Sequence, residues 1–202
     1  MSAPILDVVP GPRGLVLTAL TRLTGQCTGR SLAAQAGVPT ATTARILADL
    51  VDAGVVEAIP AGRATLYSLN REHLTARAIS ELAGLRFDLV AEIRKQIKTW
   101  VVPPIAGWLF GSTARGDGDR DSDIDLLLVA PDTRDTDHWE RQVGELAEQI
   151  ERQTGNPVQI VEHTPESFLA LKAARSPLTR ALRVEGIELI DGCWSALAKA
   201  AL

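Results

Sequence analysis

Residues 104–129, PIAGWLFGSTARGDGDRDSDIDLLLV, constrain the fold more than any other stretch of the chain. Two apolar runs, residues 105–110 and 124–129, are too short for helices and rich in leucine, β-branched and aromatic residues, so both read as strands. Between them lie a Gly111-Ser112 breaker and an acidic loop. Asp123 and Asp125 stand two apart at the mouth of the second strand, where the two-residue period sends both carboxylates to one face, roughly 7 Å apart along the backbone. Two like charges held so close call for a cation, and hard oxygen ligands select Mg²⁺ or Mn²⁺ over zinc. Gly111 allows close backbone approach, and the Ser112 hydroxyl with the N–H groups of a following helix start can receive phosphate oxygens.

Gly111-Ser112-Thr113-Ala114-Arg115-Gly116 followed by Ser122-Asp123-Ile124-Asp125-Leu126 resembles the signature of the DNA polymerase β-like nucleotidyltransferase superfamily, above all its minimal branch. The resemblance implies that Gly111, Ser112, Arg115 and Ser122 meet a nucleoside triphosphate. It further implies that Asp123 and Asp125 are the catalytic carboxylates and hold two Mg²⁺ or Mn²⁺ ions. Arg115 would face phosphate or brace the loop. A solvated acidic loop and a calcium loop are the competing readings, because aspartates alternate from Asp117 to Asp125. An EF-hand loop needs glycine at its sixth position and glutamate at its twelfth. Counted from Asp117 those positions hold Ser122 and Leu128, and counted from Asp119 they hold Ile124 and Ala130, so the calcium reading fails.

Charge divides the 202 residues unevenly. Residues 1–100 carry 11 Lys+Arg against 8 Asp+Glu, net +3, and residues 101–202 carry 10 against 17, net −7. A mildly basic half joined to an acidic one fits a nucleic-acid-facing module on a metal-binding one. No run of 18 apolar residues and no basic-then-apolar leader is seen, so the expectation is a cytoplasmic protein without a membrane span. Cys27 and Cys193 have no partner at ligand spacing and read as reduced thiols; His73, His138 and His163 are scattered singles.

Proline and glycine punctuation makes residues 1–11 an extended arm. Apolar residues recurring at three and four predict a helix over 12–23, a second over 31–36 capped by Ser31, and a third capped by Thr40 and running to about residue 53 that buries Ala44, Leu47, Leu50 and Val51. Residues 55–59 and 64–69 read as a hairpin. Three helices and a hairpin resemble the winged helix-turn-helix of bacterial DNA-binding regulators. That geometry sends Thr40, Thr42, Thr43 and Arg45 to the major groove of double-stranded DNA and Arg63 at the wing tip to the backbone or minor groove. The alternative is an interaction or dimerisation module, since Arg45 is the lone charge in the first half of the recognition helix.

Residues 71–100 read as one helix with a seam of Leu74, Ala78, Leu82, Leu85, Leu89, Ile93, Ile97 and Trp100, which packs on either domain or on its twin in a homodimer. Downstream come a helix over 138–153, a strand over 158–162, helices capped by Thr164 and Ser176, and a short strand over 186–190. In the superfamily the strand at 158–162 carries a third carboxylate; this chain has Gln159 there.

The fold class expected is α+β: a winged helix-turn-helix over 1–70, a linker helix over 71–103, and a nucleotidyltransferase-like domain with a mixed sheet over 104–202. The function expected is a DNA-binding transcription regulator that binds an NTP and Mg²⁺ with weak or absent turnover. The alternatives are an active enzyme moving NMP from NTP to a hydroxyl, and an antitoxin-like protein that modifies or masks a protein partner.

Overall fold

The computed structural model describes residues 4–116, 122–132 and 134–200, and they divide into two compact units, one up to Leu85 and one from Arg86 onward. In the N-terminal unit, α1 (Pro4–Val8) precedes α2 (Pro12–Thr21). The predicted extended arm is therefore a helical turn. Proline is tolerated at a first helical position, and Ile5 is 1% exposed in the core, which supplies the burial that holds so short a helix. Strand β1 (Cys27–Thr28) leads into α3 (Gly29–Ala36), capped by the Thr28 side chain accepting from the Ser31 N–H. Ser31, expected as the cap, lies three residues inside. Helix α4 (Thr40–Asp52) begins after Pro39, so Thr40 is its first residue rather than its cap. Strands β2 (Val56–Ala61) and β3 (Ala64–Leu69) pair around a two-residue turn at Gly62-Arg63, and β1 adds to the far edge of β3. Val16, Leu20, Leu32, Ile46, Leu47, Leu50 and Val56 form the core.

Helix α5 (Leu74–Ile97) contains the point at which the two units divide. Its first half supplies Ala76, Ile79, Leu82 and Ala83 to the N-terminal core. The expected seam holds there only at Leu82: Leu74 is 92% exposed and Ala78 is exposed as well. Its second half follows the expected seam, with Leu89, Ile93 and Ile97, and Trp100 beyond the helix end, buried in the C-terminal unit.

The C-terminal unit is built on a four-stranded mixed sheet. Strand β4 (Ala106–Phe110) is followed by the five-residue helix α6 (Gly111–Arg115), β5 (Ile124–Val129), α7 (Thr136–Thr154) and β6 (Val158–His163). Then come α8 (Pro165–Ala173), α9 (Pro177–Val184), the two-residue β7 (Ile187–Glu188) and α10 (Cys193–Ala200). The sheet order is β6-β5-β4-β7, with β5 and β6 parallel and the other pairs antiparallel. Thr164 and Ser176 cap α8 and α9 as expected, and Thr164 shares a reciprocal capping box with Ser167.

Alternation along the strands gives the sheet two different faces. Leu109, Ile124, Leu126 and Leu128 meet α5 and α7 through Ile93, Ile97, Trp139, Leu146 and Ile150. Ala106, Trp108, Leu127 and Val129 meet α8, α9 and α10 through Phe168, Leu182, Cys193 and Leu197. Trp108 stacks on Phe168 at 5.3 Å and 9°, an offset arrangement that adds to the area the two rings bury.

Candidate functional site

Asp125 is the second residue of β5 and pairs with Phe110, the last residue of β4. The register thus lays the Asp125 carboxylate beneath the turn where the chain leaves β4 for α6. Gly111 begins that turn at φ +70°, and a Cβ placed there would overlap Asp125 Oδ2 and stand 3.1 Å from its Cγ. The carboxylate therefore occupies the space that any side chain at position 111 would need. Only glycine meets both the backbone angle and the contact. Ser112, half-buried, follows at the second helical position.

Asp123 is exposed just ahead of β5, on the same strand parity as Asp125. Burial first, and the Asp123 charge second, push the Asp125 carboxyl above its ordinary value, while Arg115 pulls it down. The pair concentrates negative charge that Arg115 offsets only in part. Both ligands are hard oxygens, and the Gly111 cradle leaves the Asp125 carboxylate accessible at the turn, so Asp123 and Asp125 suit a divalent cation of the Mg²⁺ or Mn²⁺ kind. Among the described residues no cluster of three or more His, Cys, Asp or Glu at ligand distance occurs. The acidic stretch 117–121 lies outside the described residues.

Gln159 directly faces Asp125 across the parallel β5–β6 ladder. The two residues therefore lie side by side on one sheet face, with Gln159 exposed. The nearest acidic residue of β6, Glu162, pairs with Leu128, on the sheet face that meets α7, and its Oε2 accepts from Trp139 Nε1. The pairing runs unbroken from Ile124–Val158 to Val129–His163, so no bulge returns Glu162 to the Asp125 side.

Two supports escaped sequence reasoning. Arg86, on the second half of α5, donates to the carbonyls of Thr113 (3.2 Å) and Ala114 (2.9 Å) at the end of α6. Asn156, 4% exposed, donates through Nδ2 to the Ser122 carbonyl at 3.1 Å. Both fix backbone on either side of the acidic loop, and their partners lie 27 to 34 residues away in sequence, beyond any local pattern. Arg115 pairs with Glu185 at 3.0 Å, bracing α6 against the end of α9. Ser122 is half-buried, and its carbonyl is committed to Asn156.

In the N-terminal unit, Thr40 and Arg45 are exposed on the first turns of α4, Thr42 is half-buried, and Arg63 is exposed at the hairpin tip. Thr43 is a correction: it is 0% exposed, and its hydroxyl points to the Val38 carbonyl at 3.5 Å, so it packs in the core and cannot reach a groove. Ala44, expected to be buried, is the exposed neighbour.

Residues 90–182 match the family described as the nucleotidyltransferase domain, and residues 14–60 match the IclR helix-turn-helix domain. No curated protein matches the chain. Among solved structures, NadR in complex with 4-hydroxyphenylacetate is similar at 24% identity and TM-score 0.37, covering 46% of this chain and 69% of that one. A toxin-antitoxin with AMP-PNP is similar at 23% identity and TM-score 0.37, covering 55% and 83%. A MarR family transcriptional regulator from Silicibacter pomeroyi DSS is similar at 18% identity and TM-score 0.34, covering 74% and 75%. None of these scores reaches the level of a shared whole-chain fold. The two family matches, each falling on its own set of elements, show that the chain joins an N-terminal DNA-binding helix-turn-helix domain to a C-terminal nucleotidyltransferase domain.

Proposed function

We propose that the protein is a DNA-binding regulator whose C-terminal domain binds a nucleoside triphosphate with Mg²⁺ or Mn²⁺ and turns it over slowly or not at all. The observation that carries this reading is the pairing of Gln159 with Asp125. Asp123 and Asp125 would hold the cation, and the Ser112 hydroxyl with the open Gly111 backbone would receive phosphate oxygens. The bound metal would neutralise phosphate charge and acidify an attacking hydroxyl. A carboxylate at position 159 would strengthen that ligand set and could take a proton. Gln159 accepts a hydrogen bond through its carbonyl, adds no charge and removes no proton.

Pyrophosphate release with Mg²⁺ and each NTP in turn tests the proposal. Binding without rapid release is expected, and rapid wild-type transfer undiminished by Glu162→Gln would refute it. The regulatory half is tested by retardation of DNA lying upstream of the protein's own gene. If Arg45 and Arg63 meet phosphates, their double replacement by alanine should flatten the plot of log K against log salt by about two units. Absence of retardation at low salt would remove DNA recognition from the reading.

A further inference from the structure

Residues 172–183, KAARSPLTRALR, hold four cations and no acid, in a half of the chain whose net charge is −7. The end of α8 and the length of α9 gather those four around one concavity of about 340 Å³, lined by Lys172, Arg175, Ser176, Thr179, Arg180 and Arg183. Arg175, Arg180 and Arg183 are exposed, and among the described residues none of the four forms an ion pair. Glu185, the nearest acid after the stretch, is turned to Arg115 instead. Like charges one helical turn apart on α9, Arg180 with Arg183, repel each other until an anion enters.

One further feature marks the concavity as more than a solvated face. Trp194, half-buried, has the Arg183 guanidinium 4.8 Å and the Lys172 ammonium 5.8 Å from its ring centroid and rests on Trp108 and Phe168. An aromatic ring set among cations is how proteins that bind single strands grip phosphates and bases together.

We propose that this α8–α9 corner binds the phosphate backbone of a single-stranded nucleic acid. The concavity admits individual phosphates of a flexible strand, whereas a duplex presents a stiff convex surface. Four cations spread from the end of α8 along α9 extend over more than one phosphate group, beyond the reach of a lone phosphate. Helices α8 and α9 cover the same sheet face that carries Asp125, and the Arg115–Glu185 pair ties the end of α9 to α6. A bound strand would therefore lie on the nucleotide side of the sheet. Binding there does not depend on turnover at Asp125.

Fluorescence anisotropy of the full chain with a labelled twelve-nucleotide single strand tests the site, with a matching duplex and ATP as competitors. Arg180→Ala with Arg183→Ala should weaken single-strand binding about 10-fold or more and flatten the salt slope by about 1.4. Arg180→Lys with Arg183→Lys should keep most of the affinity, which separates lost charge from lost fold. Arg45→Ala with Arg63→Ala should leave single-strand binding unchanged. The proposal is overturned by no single-strand binding at low salt, by unchanged affinity in the α9 double alanine variant, or by loss in the Arg45/Arg63 pair. Complete displacement by ATP would equally overturn it, by assigning the cations to a small phosphate ligand.

Discussion

The two faces of the C-terminal sheet use the same strands for opposite purposes. On the face toward α5 and α7, β5 contributes Ile124, Leu126 and Leu128, and the one carboxylate that β6 sends there, Glu162, is tied down by the Trp139 indole. On the other face, β5 carries Leu127 and Val129 into the core but opens at its start with Asp125, pressed against a glycine and facing an amide. One face satisfies its polar group; the other leaves two carboxylates pushing on each other. Parity along a strand decides which acid is scaffold and which is chemistry, and sequence distance does not: Glu162 is three residues from Gln159 and on the wrong side.

Substitutions can break this contrast, and the greatest effect is expected on the closed face. Trp139→Ala removes a side chain that is 1% exposed, so chemical denaturation should show a loss of about 3–5 kcal/mol. A loss below about 1 kcal/mol would mean that this face is not closed. On the open face, Gly111→Ala forces a methyl into Asp125 at an unfavourable φ and should weaken Mn²⁺-dependent NTP binding by about 100-fold in calorimetry. Unchanged affinity would remove the turn from the site.

Asp125→Asn should abolish the same binding and carry a pH signature in the metal-free protein. The Asp125 carboxyl is raised by burial and by Asp123, so the folded state keeps its proton at a pH where the unfolded chain has released it. Stability is then lost as pH rises from the ordinary carboxylate value through the raised one. The variant should match wild type in Tm at the acid end and exceed it at neutral pH; a lower Tm at neutral pH would contradict the repulsion. Gln159→Glu adds a third charge on that face and should raise Mn²⁺ affinity about 10-fold, with no gain if Gln159 turns away from the cation. The smallest effect belongs to Glu162→Gln. Trp139 keeps an acceptor but loses a charged one, so stability should fall by on the order of 1 kcal/mol with metal affinity untouched.

The sequence made the open face legible because its residues are rare in combination. Gly111-Ser112 and Asp123-x-Asp125 at strand ends announce themselves, and Thr164 and Ser176 mark helix starts by their own side-chain chemistry. What escaped was set by tertiary partners. Thr43 reads as polar by type, yet its hydroxyl is directed to Val38 and its methyl fills the core. Leu74 fits the helical period and is left exposed, because the N-terminal core closes on Ala76 and Ile79 instead. Helix α1, strand β1 and helix α10 are too short or too mixed in pattern to show before packing selects them. Arg86 and Asn156 look like ordinary surface polars until the fold brings distant carbonyls to them.

Helix α5 belongs to two cores in succession, and this bears on how such a protein can be cut, shuffled or inherited. A fragment ending at residue 70 would strip Ala76, Ile79, Leu82 and Ala83 from the N-terminal core, and one beginning at residue 104 would lose Leu89, Ile93 and Ile97 from the other. Twelve helical residues on either side of the division are too few to hold a helix in water unaided. A workable seam for recombination lies inside the helix near Gly84, with each half leaving alongside the core it covers.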